Sequence, residues 1–437
     1  MDYISQDLRK RIGEYLRNVR KSKNIPMKQV TEEGLSEPTI CRIEKGVGDT
    51  PIEKIRILAN KLGINLDKEF GLNQRELAII KAKLLHIEYK AELKLNLEVC
   101  LQELDEINLP DSHPLHFLWI HLKGKTLFYM GKADQAEQFT LRILNLNRTI
   151  EMKKSNIISC AKNILSNIYY LKRDLHRALN EINGAIELFD PNGERAEKIH
   201  MFLINKSVYL KHLDRDTESD EIVEYLYKNI DQIFDPRVKV TVHELMARIH
   251  LKNKKYNEAI QCCMDGLYLS STMNLIDRCV ELWSVLGSIY EEMSMYGEAL
   301  IQYQTALSYK GTTQPYLFIT VYSMLAGLYE RIGDLKKCEN AHNKALEYHD
   351  DSIRYIDALI NKAFFLKRHE RSNEAGNHLE QARILARQQK LWTKAHDIVH
   401  ELTQIYKGSN RDKYHQYLEE LQEIIGLLKE RGFKYVG

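Results

Sequence analysis

Small residues recur along this chain at an almost constant spacing: Ala136, Ala178, Ser219, Ala259, Ala299, Cys338 and Ala375, at intervals of 42, 41, 40, 40, 39 and 37. A period near 40 restricts the fold strongly. One such unit cannot bury its own apolar face and must stack on its neighbours. Only 8 prolines and 21 glycines interrupt the 437 residues, and Leu, Ile, Glu, Lys and Ala are abundant, so the period is filled with helix. Each unit then reads as two helices and a turn, with the small residue where the two helices approach.

The clearest unit runs from Leu282 to Ala306. Trp283, Leu286, Gly287, Tyr290, Ala299, Tyr303 and Ala306 fall at its packing positions. Tyr322, Leu325, Ala326, Tyr329, Gly333, Cys338 and Ala345 repeat it. So do Leu165, Tyr169, Ala178 and Ala185, and likewise Ala247, Tyr256 and Ala259. The pattern resembles the tetratricopeptide repeat, which implies a right-handed superhelix of helix pairs, an α-solenoid. The expectation is about eight to nine pairs over 73–437, with Gln74–Leu109 as a degenerate first one and Tyr414–Arg431 as a capping or dimerisation helix.

The first 72 residues depart from this period. Ser36–Gly46 reads as a short helix with an N-cap serine, a closing glycine and Ile40 and Ile43 on one face. Leu8, Ile12, Leu16 and Val19 share a face of the preceding helix, about Asp7–Lys21. A second helix is expected from Pro26, a fourth opening on Pro51 with Thr50 as its cap, and a fifth from Asn65 to Phe70. Charge is uneven: residues 1–70 sum to +3 and the remainder to −1. In the first helix Arg9, Lys10, Arg11, Arg17, Arg20, Lys21 and Lys23 meet a single acid, Glu14, a footprint suited to phosphates.

The run from Ile12 to Phe70, with Thr39-Ile-Cys-Arg-Ile-Glu-Lys-Gly46 at its centre, resembles the Cro/C1-type (Xre-like) helix-turn-helix domain. Two positions depart from the pattern: Met27 stands where a glutamine is usual, and Pro38 enters the recognition helix's first turn. The resemblance implies a DNA-binding domain over 1–72 and a double-stranded DNA operator. Ser36 would open the recognition helix, and Glu37, Pro38, Thr39 and Arg42 would face the major groove or its rim. Lys28 and Lys45 would serve phosphates. For Arg42 the alternative is a structural role, packing its stem and pairing with Glu44 or a neighbour.

In a tetratricopeptide array the first helix of each pair lines the concave side. Aligning the units on the motif puts Asn163, Asn167, Tyr170, Asn205, Glu244, Arg248, Ser284, Ser288, Ser323, Asn361 and Lys367 there. Asparagines can give paired bonds to an extended peptide backbone, and Arg248, Lys367 and Glu244 can pair its charges.

Other chemistry finds little support. His243-Glu244 would need a histidine at Ala247 to form a zinc-protease helix. His396 and His400 stand four apart without an apparent third ligand. The seven scattered cysteines form no C-x-x-C pair. There is no phosphate-binding loop and no nucleophile elbow. No cofactor, no metal and no enzymatic activity are expected. The N-terminus lacks the apolar stretch of a signal peptide and no apolar run approaches a membrane span, so a cytoplasmic protein is expected.

A helix-turn-helix followed by such an array resembles the RRNPP family of Gram-positive bacteria and their phages. That resemblance implies a dimeric transcriptional regulator controlled by a short signalling peptide in the concave groove. It also leaves open a Rap-like scaffold or phosphatase acting on a response-regulator protein.

Overall fold

The computed structural model describes residues 6–48, 50–146, 150–349 and 353–430. It is all-α. Among the described residues, the sole β-feature is an isolated bridge between Glu32 and Leu35.

The N-terminal bundle consists of α1 (Gln6–Ser22), a 3-10 turn (Met27–Val30), α2 (Glu37–Lys45), α3 (Ile52–Lys61) and α4 (Leu66–Phe70). Its core gathers Ile12, Leu16, Val30, Leu35, Ile40, Ile43, Ile55, Leu58 and Phe70. The expected second helix is only this four-residue 3-10 turn. Ser36 does occupy the N-cap of α2, but its hydroxyl caps no backbone N–H and lies 3.0 Å from the Thr39 hydroxyl. Thr50 is not the cap of α3; Pro51 holds that place. Gly46 ends α2 in the left-handed conformation, its N–H donating to the carbonyls of Arg42 and Ile43.

Among the described residues nine helix pairs follow: α5 (Gln74–Glu92) with α6 (Leu97–Ile107), α7 (His116–Tyr129) with α8 (Ala133–Leu144), and, after the short α9 (Ile150–Lys154), α10 (Ile157–Leu171) with α11 (Leu175–Glu187). Then come α12 (Lys198–His212) with α13 (Asp216–Lys228), α14 (Pro236–Lys252) with α15 (Tyr256–Thr272), and α16 (Ile276–Glu292) with α17 (Tyr296–Ser308). The last are α18 (Tyr316–Ile332) with α19 (Leu335–Leu346), α20 (Ile353–Arg368) with α21 (Ser372–Gln388), and α22 (Trp392–Tyr406) with α23 (Arg411–Glu430). The expected end of the last helix at Arg431 lies outside the described residues.

Every member of the period sits on the second helix of a pair. Ala136, Ala178, Ala259, Ala299, Cys338 and Ala375 are fully buried and Ser219 nearly so. Gly287 shows why: a Cβ there would come within 2.5 Å of the Tyr303 ring, the wedge between α16 and α17. Tyr303 itself is completely buried.

The chain divides into two compact units, Met1–Ile168 with Glu187–Glu194, and Tyr169–Ile186 with Arg195–Gly437. The first helices of the array thus share a unit with the N-terminal bundle. Within that first unit the bundle rests on the turn before α7. The Ser112 hydroxyl donates to Glu69 at 2.7 Å, and a Cβ on Gly71 would press on Pro114 at 3.0 Å and His113 at 3.1 Å.

Candidate functional site

The expected DNA-facing residues all lie at the surface of the N-terminal bundle. Lys28, Ser36, Pro38, Arg42 and Lys45 are exposed, and Glu37 and Thr39 half-buried, while Ile40, Ile43 and Glu44 turn inward. The alternative pairing of Arg42 with Glu44 is overturned. Glu44 is buried, and Arg20 takes both its oxygens, Nε to Oε1 at 2.5 Å and Nη2 to Oε2 at 2.9 Å. A third Arg20 donor reaches the Ile25 carbonyl at 2.9 Å. The Glu44 hydrogen bond raises the guanidinium pKa further.

This pairing also corrects the basic footprint. Arg20 is structural, Arg9 donates to the Thr50 carbonyl, Arg11 to Ser112 O and Lys23 to Leu62 O. Lys10, Arg17 and Lys21 remain as exposed basic side chains of α1. Met27, at the departure from the pattern, packs against the bundle core.

In the array, the C-terminal unit contains a groove of about 870 Å³. Its walls come mainly from the first helices of four successive pairs, α14, α16, α18 and α20. Of the expected residues, Ser288, Ser323 and Asn361 line it. Asn205 is half-buried on α12 of the same unit, whereas Asn163 and Asn167 belong to the N-terminal unit. The Tyr170 hydroxyl lies 2.9 Å from His212 Nε2, and its ring stacks on Tyr209. Burial raises the Tyr170 phenol, against the opposing pull of Arg173 and Arg354.

Three expected residues are engaged within the protein. Glu244 accepts from Arg248 at 3.0 Å and meets Arg278 at 3.5 Å. Lys367 holds Glu401 at 2.6 Å. Ser284 is a correction: it is buried, and its hydroxyl donates to the Val280 carbonyl at 2.7 Å, so it serves its own helix and not the groove.

Much of the groove was missed. Glu291, Glu292, Met324, Gly327, Glu330, Arg331, Asp357, Phe364 and Arg368 all line it. All but Met324, which is adjacent to Ser323, lie three or four residues from Ser288, Ser323 and Asn361, or one turn beyond, on the same helical ridge. Extending each ridge by that turn would have found all of them but Met324.

The groove's charges are largely matched internally. Arg368 grips Glu330 with two bonds, 2.8 and 2.6 Å, which hold that carboxyl below its usual range. Arg331 reaches Glu291 at 3.1 Å and Glu292 at 3.2 Å. Burial nevertheless raises the Glu291 pKa, opposed by the Tyr303 hydroxyl that donates to it at 2.9 Å and by Arg331. Burial also pushes His342 down to about 4, so it is neutral near pH 7. Interleaved ion pairs, neutral hydrogen-bonding groups and the apolar side chains Met324, Ile360 and Phe364 make a surface suited to an extended polypeptide segment. Among the described residues, no cluster of three or more His, Cys, Asp or Glu side chains is placed to hold a metal, and no helix is long and apolar enough to cross a membrane.

The tetratricopeptide repeat family model matches residues 240–272, which are α14 from Val240 onward, the whole turn and α15. No curated protein sequence matches the chain. Among solved structures, a Rap protein complexed with competence and sporulation factor superimposes with a TM-score of 0.55 and 13% identity, covering 81% of this chain and 99% of that one. The apo form of the quorum sensor NprR from B. thuringiensis gives 0.54 and 13%, covering 87% and 98%. NprR in complex with its cognate peptide NprX gives 0.53 and 14%, covering 79% and 99%. The chain has the fold of Rap and NprR.

Proposed function

We propose that this chain is a peptide-controlled regulator of the RRNPP family, with the N-terminal bundle as a helix-turn-helix DNA reader. The observation that carries the reading is the groove on α14, α16, α18 and α20, combined with a fold shared with NprR solved with its cognate peptide NprX and with a Rap protein solved with competence and sporulation factor. Peptide in the groove would favour one arrangement of the repeats over another and so bias DNA binding by population shift. A homodimer would set the spacing of two half-sites. Arg42 and Thr39, on the outer face of α2, are the base-reading candidates; Lys28 and Lys45 are the phosphate contacts.

A mobility shift of the full chain on its own upstream DNA, at fixed salt, tests this reading. Sequence-selective binding that Arg42→Ala abolishes supports it. Binding that is absent, or indifferent to sequence and to Arg42, sinks it.

A second reading has its own support. The helix before α2 is reduced to a four-residue 3-10 turn, and three of the six basic side chains of α1, Arg9, Arg11 and Arg20, donate within the protein. Both features favour a Rap-like scaffold or phosphatase acting on a response regulator, with the bundle no longer reading DNA.

A further inference from the structure

The groove's floor on α18 is bare. Gly327 lines it, and a Cβ built there meets nothing within 4 Å. Two side chains lining the same groove carry buried polar atoms without a hydrogen-bond partner: the Ser323 hydroxyl oxygen and His342 Nδ1. His342 is 4% exposed and neutral. An unsatisfied buried polar atom destabilises by roughly 1–3 kcal/mol, which a ligand able to bond it recovers.

The groove's arginines give a contrary signal for charge. Arg331, Arg354 and Arg368 each already hold a carboxylate, so an ionic ligand group must break a pair to bind one of them. A neutral amide or hydroxyl breaks none. A carboxamide supplies both donor and acceptor, as a hydroxyl does, and these are what a neutral imidazole and a serine require.

We infer that Gly327, Ser323 and His342 form a subsite that accepts one neutral, hydrogen-bonding side chain of the ligand: Asn, Gln, Ser or Thr. This deepens the peptide reading and rests on it. Gly327 is the gate by size, and Ser323 and His342 select by hydrogen bonding. A charged side chain is disfavoured because the neighbouring charges, Glu330 and Arg368, already pair with each other, and an aliphatic one because it leaves both polar atoms unsatisfied.

The test is affinity selection by the full-length protein from a synthetic heptapeptide library with one residue fixed per sublibrary. The wild type is expected to retain sublibraries fixed as Asn, Gln, Ser or Thr at one position. Gly327→Leu should reduce that retention about tenfold. Its backbone is helical and its Cβ unobstructed, so folding is preserved. Gly297→Leu, also unobstructed but on α17 outside the groove, should behave as wild type. Ser323→Ala with His342→Phe should keep binding and lose the preference. The subsite is overturned if Gly327→Leu retains the same peptides equally, if Gly297→Leu loses them as fully, or if the preferred side chain is charged. Failure of the wild type to enrich any sublibrary removes the peptide reading and the subsite together.

Discussion

Arg354 on α20 donates to Glu281 on α16 at 2.9 Å while its other arm donates to Thr320 on α18 at 3.2 Å. One side chain thereby ties the first helices of three successive pairs. Glu281 is already crowded by Glu244, and burial is the larger cause that raises its pKa; Arg278 and Arg354 oppose both. Arg354→Ala should lower stability by about 1 kcal/mol, the partial exposure of the arginine keeping the figure near the surface range. Amide exchange in α16, α18 and α20 should rise together; a rise confined to α20 would show that no tie exists.

The Arg20–Glu44 pair is far more enclosed, with side-chain exposures of 10% and 2%. Arg20→Ala leaves Glu44 buried and unpaired and should destabilise the N-terminal bundle by roughly 3–5 kcal/mol. Replacing both partners with Met and Leu should be much milder. Thermal unfolding of the two variants checks this, and equal losses would refute it.

Gly13 lies where α1 crosses α2. A Cβ there would stand 2.1 Å from the Ile43 carbonyl oxygen, which is backbone and has no rotamer to change. Gly13→Ala should therefore destabilise by about 1–3 kcal/mol despite its better helix propensity. A neutral or stabilising result in chemical denaturation would show that the helices separate freely.

Acid should weaken the fold in a definite window. Burial pushes His113, His342 and His378 to about 4, below the ordinary 6.5. Between these values the unfolded chain binds protons that the folded chain refuses, so stability is complete above 6.5 and falls as pH drops toward 4. Each such histidine adds up to about 1.4 kcal/mol per pH unit to that slope. His342→Phe, which keeps a ring beside Phe365, should flatten it; an unchanged slope would contradict neutral burial.

The fold was legible because packing imposes a period on the sequence. Ala299 and Cys338 serve the same approach of helices, and the spacing needs only that they be small. The turns were less visible. Arg173, Asp214, Lys254, Ser294 and Glu370 hold left-handed turns within pairs, where glycine would have announced the break; Gly131 and Gly333 do so elsewhere. The N-terminal bundle was readable from its apolar face, but not the shrinking of its second helix to one 3-10 turn, since four residues carry no periodicity. Site residues were harder still. Composition cannot distinguish a serine lining the groove, Ser323, from one donating to its own helix, Ser284. Nor can it show that Glu44 belongs to Arg20 rather than Arg42.

The seat of the N-terminal bundle on the turn before α7 bears on how portable that bundle is. Glu69 meets Ser112, and Gly71 leaves no room for a side chain against Pro114 and His113. A cut at residue 72 would sever the peptide link yet expose a fitted joint on both pieces. Grafting the bundle onto another repeat array would require a glycine at the same place and a proline-bearing loop to receive it.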